Sequence, residues 1–142
     1  MADRVSSHFR KQNPVFGTIV FPLVDSTVLN TAGALTLTAA QIMGGLILRD
    51  PNGGARTDTL PTAALLVAAI QGAEVGTSFT LIIRNTADGA ETITIAVGTG
   101  GTAVSTLTTI AQNYTTSYLI VLTDVGIGSE AYSVYNLGTT AN

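Results

Sequence analysis

Few residues of this chain could do acid–base, nucleophilic or metal chemistry. The one histidine, His8, has Ser6 and Ser7 beside it and Asp3 nearby. A nucleophile triad needs these groups held in register by a rigid scaffold, and a polar terminal stretch offers none, so no catalysis is expected there. Cysteine is absent, which excludes disulfides and thiolate metal sites; folding is expected to need neither metal nor oxidant. The run Gly98-Thr99-Gly100-Gly101-Thr102-Ala103 matches G-x-G-x-x-A, with Asp124 downstream. A dinucleotide site needs a helix directly after the glycines, because its N-terminus receives the pyrophosphate. The β-branched residues that follow, VSTLTTIAQN, favour a glycine turn instead. Asp50, Asn52 and Asp58 are interrupted by Pro51, Gly53 and Ala55 and lack a distal Glu, so they read as a turn and not as a calcium loop. Asp58, Glu74, Asp88, Glu91 and Glu130 include the oxygens a glycosidase pair would need, yet nearly all stand at turns or strand ends, where charges are solvated. Tyr114, Tyr118, Tyr132 and Tyr135 could form a sugar platform, but cross-strand packing or subunit contact is the commoner use of such residues. No enzyme and no cofactor is expected.

Composition narrows the partners. Of the 142 residues, 46% are hydrophobic and only 11% charged, against roughly 25% charged in an average globular protein. The mean hydropathy is +0.43. Intrinsic disorder and a coiled coil both need far more charge. The net charge is −3, and three of the six cations, Arg4, Arg10 and Lys11, fall in the first eleven residues. A broad phosphate-binding surface is therefore not expected, and neither is a nucleic-acid partner. The N-terminus shows no secretory apolar region. No run reaches the ~18 apolar residues of a membrane span, and the closest, 35–48, is broken by Thr36, Thr38, Gln41 and Gly44-Gly45. No membrane partner is expected. So small a charge content points to a surface covered by other protein, through self-association or docking.

Two segments are expected: an extended N-terminal arm, 1–16, and one β domain, 17–142. GTIVFPLVDSTV, from Gly17, reads as an edge or bulged strand because Pro22 cannot donate to a ladder. ALTLT, 34–38, alternates as a half-buried strand does. Thr38 could cap one helical turn stopped by Gly44-Gly45. LILR, 46–49, and 57–60 are strands around the turn Asp50-Pro51-Asn52-Gly53-Gly54. PTAALLVAAIQ, 61–71, is the one convincing helix, opened by Pro61 and ended by Gly72, with Leu65, Leu66, Ala69 and Ile70 as its apolar face. Strands 77–85 and 91–97 around Thr86-Ala87-Asp88-Gly89-Ala90 read as a hairpin. Further strands are expected at 102–110, 117–123 and 131–137. Regular short strands with turns between them indicate an all-β sandwich or barrel. The 23 threonines suit strands through their β-branching and exposed faces through their hydroxyls.

The phrases TLTAAQIMGGLILRDPNGGARTDTLPTAALLVAAI, GTSFTLIIRNTADGAETITIAVGTGGT and TIAQNYTTSYLIVLTDVGIGSEAYSVYNLG resemble small virion proteins of tailed bacteriophages. More narrowly, the chain is similar to capsid decoration (cement, or auxiliary head) proteins with a jelly-roll-like β body. The likeness covers about residues 30–138. It implies a non-enzymatic protein, made in the host cytoplasm, that sits on the outer surface of an icosahedral head, commonly as a homotrimer. It would bind the major capsid protein and stabilise the shell. The first sixteen residues match no motif of that family. Their composition suggests a capsid-contacting arm through Arg4, His8, Phe9, Arg10 and Lys11, with cations for charge-assisted hydrogen bonds and Phe9 as an anchor. A receptor- or glycan-binding fibre or tail module, using tyrosine-lined loops, is the competing expectation.

Overall fold

The computed structural model describes residues 24–142. The expected arm and its candidate contacts, Arg4, His8, Phe9, Arg10 and Lys11, lie outside these residues, as does 17–23 of the expected first strand.

Among the described residues, eight strands and two short helices follow one another as β1 (Asp25–Leu29), α1 (Ala39–Met43), β2 (Gly45–Arg49), β3 (Arg56–Thr59), α2 (Ala63–Ala69), β4 (Ser78–Asn85), β5 (Ile93–Ala96), β6 (Gly101–Ala103), β7 (Tyr114–Asp124) and β8 (Ala131–Ala141). Six strands form one sheet in the order β1-β2-β4-β7-β8-β6, and β3 pairs with β5 in a second. The all-β expectation holds.

Strand direction differs from the expected jelly roll. A jelly roll is built from Greek keys of antiparallel strands. Here β1–β2, β2–β4, β3–β5 and β6–β8 are parallel, and only β4–β7 and β7–β8 are antiparallel. Parallel neighbours need long crossovers. The segment carrying α1 supplies one between β1 and β2, and the segment carrying β3 and α2 supplies another between β2 and β4. Alternation of apolar residues specifies a strand's buried face and is silent on its direction.

The inner face of the large sheet presents Ile47, Leu81, Ile83, Tyr118, Ile120, Leu122, Tyr132 and Val134. The small sheet covers it with Ile93 and Ile95, the helices with Ile42, Ala63 and Leu66, and the connections with Leu37, Leu60 and Ile110. These side chains form one cluster, the larger of them each contributing roughly 1.5–3 kcal/mol by leaving water.

The expected turn after Thr38 is α1. The Thr38 hydroxyl accepts from the Gln41 N–H at 3.2 Å, and the Gln41 side chain accepts from the Thr38 N–H at 2.8 Å, a reciprocal capping box. α2 is shorter than the expected 61–71. Its cap is Thr62, whose hydroxyl accepts from the Leu65 N–H, and Pro61 stands before that cap, where its carbonyl accepts from the Tyr132 hydroxyl at 3.0 Å. A threonine oxygen satisfies an otherwise orphaned helix N–H, which proline cannot do. Fixing the start there turns Ala63 and Leu66 inward and leaves Leu65, expected on the apolar face, 58% exposed.

The expected hairpin between 77–85 and 91–97 does not form: β4 stays in the large sheet while β5 crosses to the small one. Asn85 makes the transfer. Its amide donates to the carbonyls of Glu91 (2.8 Å) and Ile110 (3.0 Å), and its side-chain oxygen accepts from the Ala87 N–H (3.0 Å). These bonds occupy backbone groups at the place where a hairpin would have closed. The expected strand 102–110 is reduced to β6 and an isolated bridge between Ile110 and Ile93.

Candidate interaction surface

A buried ion pair fixes the loops at one end of the body. Arg49 of β2 and Asp58 of β3 are both buried. The Arg49 Nε donates to Asp58 Oδ2 at 2.7 Å, and Nη2 reaches Oδ1 at 3.3 Å. The guanidinium also donates to main-chain carbonyls of Thr31 (2.8 Å), Gly33 (2.7 Å) and Asp50 (2.6 Å). Asp58 Oδ1 accepts from the Leu35 N–H at 2.9 Å as well. A planar fork with five donors suits this cluster of acceptors as an ammonium would not. The pair ties the turn 30–33, the start of 35–37 and the turn after β2 to the core. Asp58 is thereby committed to Arg49. Asp50 accepts from the Asn52 N–H at 2.9 Å, a turn closed by positive φ at Asn52 and Gly53, as expected of Asp, Asn and Gly there.

The glycine run is consumed by packing. A Cβ on Gly98 would fall 2.6 Å from the Pro61 carbonyl oxygen, and one on Gly100 would fall 2.6 Å from that of Glu130. The Gly98 N–H donates to the Tyr132 hydroxyl at 3.0 Å, and the last three residues of the run form a strand, β6, where a dinucleotide site would need a helix. The glycines let β6 and α2 approach β8 closely.

The outward face of the small layer is rich in hydroxyls. Thr36 bridges to Thr59, and Thr57 lies in register with Thr94. The Thr94 and Thr109 hydroxyls are 3.3 Å apart, and beside them, on β8 of the large sheet, the Thr139 hydroxyl lies 3.2 Å from that of Thr108 and 2.7 Å from that of the buried Thr116. The Asn136 amide links Thr108 at 3.0 Å and the Thr106 carbonyl at 3.2 Å. This lattice edges an open groove of about 480 Å³ lined by Ser105, Thr106, Thr109, Tyr114 and Leu137 among others. A second groove, of about 530 Å³, runs between α1 and α2 along Leu37, Ala39, Ala40, Leu65 and Ala69. Neither groove is lined by an acid, a base or a histidine. They can pack against a complementary surface and exchange hydrogen bonds with it.

The tyrosines divide. Tyr114 and Tyr135 are exposed, at 39% and 37%, while Tyr118 and Tyr132 are buried in the core. They form no single platform. Burial pushes the Tyr118 phenol up from 10.0 to about 12, and the nearby Thr116 hydroxyl offsets part of the rise. That hydroxyl is paired with Thr139, and the phenol oxygen is left without a partner in hydrogen-bonding geometry. Burial also raises Tyr132, against the lowering contact with Gly98. A raised phenol stabilises the fold fully below the unfolded value, about pH 10, and that contribution drains away as pH climbs toward about 12. From its shift alone, Tyr118 should take away about 3 kcal/mol over that window. Urea unfolding at stepped alkaline pH checks this: Tyr118→Phe should retain stability that the wild type loses above pH 10. Parallel losses in the two proteins would assign the alkaline sensitivity elsewhere.

No group of three or more His, Cys, Asp or Glu placed to hold a metal occurs among the described residues. The expected arm contacts lie outside them, so the surface rests on the body alone. Arg49 and Asn85, which shape that surface, escape sequence reading. The one signal is a charged or amide residue ending an apolar strand at an inward position, as in LILR and TLIIRN. No protein-family model, no curated protein and no solved structure matches the chain.

Proposed function

We propose that the chain is a structural virion protein of the decoration class. It attaches to the major capsid protein on the outer surface of a bacteriophage head, as a homo-oligomer with three copies as the first expectation, and stiffens the shell without catalysing a reaction. The body offers two β layers, of six strands and two, over one core. The observation that carries the reading is the hydroxyl layer of Thr36, Thr57, Thr59, Thr94 and Thr109 on a firmly packed body. An uncharged hydroxyl surface can be covered by protein at little desolvation cost compared with ions. The acidic body suits a position outside a DNA-filled shell, and the phage-like phrases of the sequence point the same way.

The exposed Tyr114 beside the hydroxyl groove favours one second reading, a glycan-binding module of a fibre or tail. Mixing the purified chain with heads that lack it, sedimenting them and counting copies separates the two. Saturation at many copies over the head supports decoration. Retention of a few copies at the tail, or no binding to heads together with retention on a glycan matrix, supports the second reading.

A further inference from the structure

The outward face of the six-stranded sheet is unlike the rest of the surface. Its outward positions carry Val28, Leu46, Leu48, Ile82, Leu119 and Val121, with Tyr135 beside Leu119 in register. Val28 is 60% exposed, and the other five are half-buried between their neighbours on the strands. The polar positions between them are Ser, Thr and a single charge, Arg84. Residues 24–142 contain eight acids and three bases; the one acid at an outward position of β2, β4, β7 or β8 is Asp124, which the bulge after Leu122 sets opposite Ala131 at the end of the sheet, where its carboxylate accepts from the Gly126 N–H. The inner face is closed by the small sheet and both helices. Nothing among the described residues closes the outer one.

We infer that this face is where copies of the chain meet. The inference rests on the self-association contained in the proposal above and names its surface. Charge decides the occupant. Two copies of a net acidic body repel wherever their acids face, and this face lets them approach over its apolar middle with its one acid, Asp124, held at the end. Extent agrees. Five adjacent strands at ~4.8 Å spacing, about seven residues long at ~3.3 Å each, span on the order of 500–600 Å², near the ~800 Å² per partner of a standard interface. The face packs against another sheet at ~10 Å in a two-fold pair, or lines a three-fold axis; both bury the same side chains.

Leu119 sits mid-sheet, between Thr80 and Tyr135. In the full chain, Leu119→Glu should convert the oligomer to monomer in light scattering, weakening association at least a hundredfold while far-ultraviolet circular dichroism stays unchanged. Gln71→Glu, exposed just past α2 on the opposite layer, should leave the oligomer whole. If Leu119→Glu fails to fold, the milder double variant Leu119→Thr with Ile82→Thr puts β-branched residues at both strand positions. It should raise the protein concentration at which the oligomer dissociates. An oligomer left intact by Leu119→Glu, or by the double threonine variant in its place, overturns the surface but leaves self-association standing. A wild-type monomer overturns both. A wild-type monomer that Leu119→Glu strongly destabilises assigns the face to residues 15–23 of the same chain. Failure to bind heads by an oligomer that Leu119→Glu dissolves would remove the decoration reading and leave this inference in place.

Discussion

Replacing Arg49 with methionine is expected to lower stability by about 3–5 kcal/mol, the usual consequence of removing one partner of a buried ion pair. The substitution strips Asp58 of its bidentate cation and leaves the carbonyls of Thr31, Gly33 and Asp50 without the donors they now have. Asp58 keeps only the Leu35 N–H. Asp58→Asn should cost a comparable amount, because the Arg49 cation stays buried without its counter-charge and the amide NH2 meets a donor where a carboxylate oxygen accepted. The double variant Arg49→Met with Asp58→Leu should recover part of the loss, since apolar replacements remove the uncompensated charge. Arg49→Lys should not rescue: one ammonium supplies three donors where the fork supplies five. Urea midpoints for the four variants check the series. An Arg49→Met protein within about 1 kcal/mol of wild type would mean that the turns at 30–33 and 50–53 are held by something else.

That pair also marks how far the sequence can be read. LILR and RTDT are legible as strands from their residue types, and the Asp50–Gly54 turn is legible for the same reason. That Arg49 and Asp58 point inward toward each other is not, because both read as strand-end charges bound for solvent. The same limit lies behind the hairpin expected at 86–90. The turn chemistry is present, but Asn85 bonds across to Ile110, twenty-five residues away, and no local pattern encodes such a contact. Helix α1 is legible through Thr38 and Gln41, since a capping box is local. The start of α2 is not, because the bond holding Pro61 outside it comes from Tyr132, seventy-one residues on. Local chemistry can be read and long-range polar contacts cannot. The mostly parallel pairing belongs to the second kind, because it follows from where each crossover returns.

The arm should have the largest effect on binding. Residues 1–16 hold Arg4, Arg10 and Lys11, half of the six cations, with His8 and the apolar Phe9 between them. The body from residue 24 onward encloses a core of its own. On an acidic patch of the capsid, each cation can form a charge-assisted hydrogen bond while Phe9 fills a pocket. Holding an extended segment in one conformation costs roughly 1–2 kcal/mol per residue in backbone entropy, so one arm binds weakly. Joined on an oligomer, several arms bind as a unit and gain about 10²–10⁴ in avidity. The full-length variant Arg4→Glu, Arg10→Glu, Lys11→Glu should therefore lose cosedimentation with undecorated heads while melting as the wild type does. Deleting 1–16 should do the same, and Phe9→Ala should fall between. The dissociated Leu119→Glu protein keeps its arm and should still bind, weakened by the lost avidity factor. Raising the salt should weaken wild-type binding, since exposed charges are screened within about 10 Å at 0.1 M. Undiminished cosedimentation by the charge-reversed and the truncated chain would place the contact on the hydroxyl layer and the grooves of the body instead.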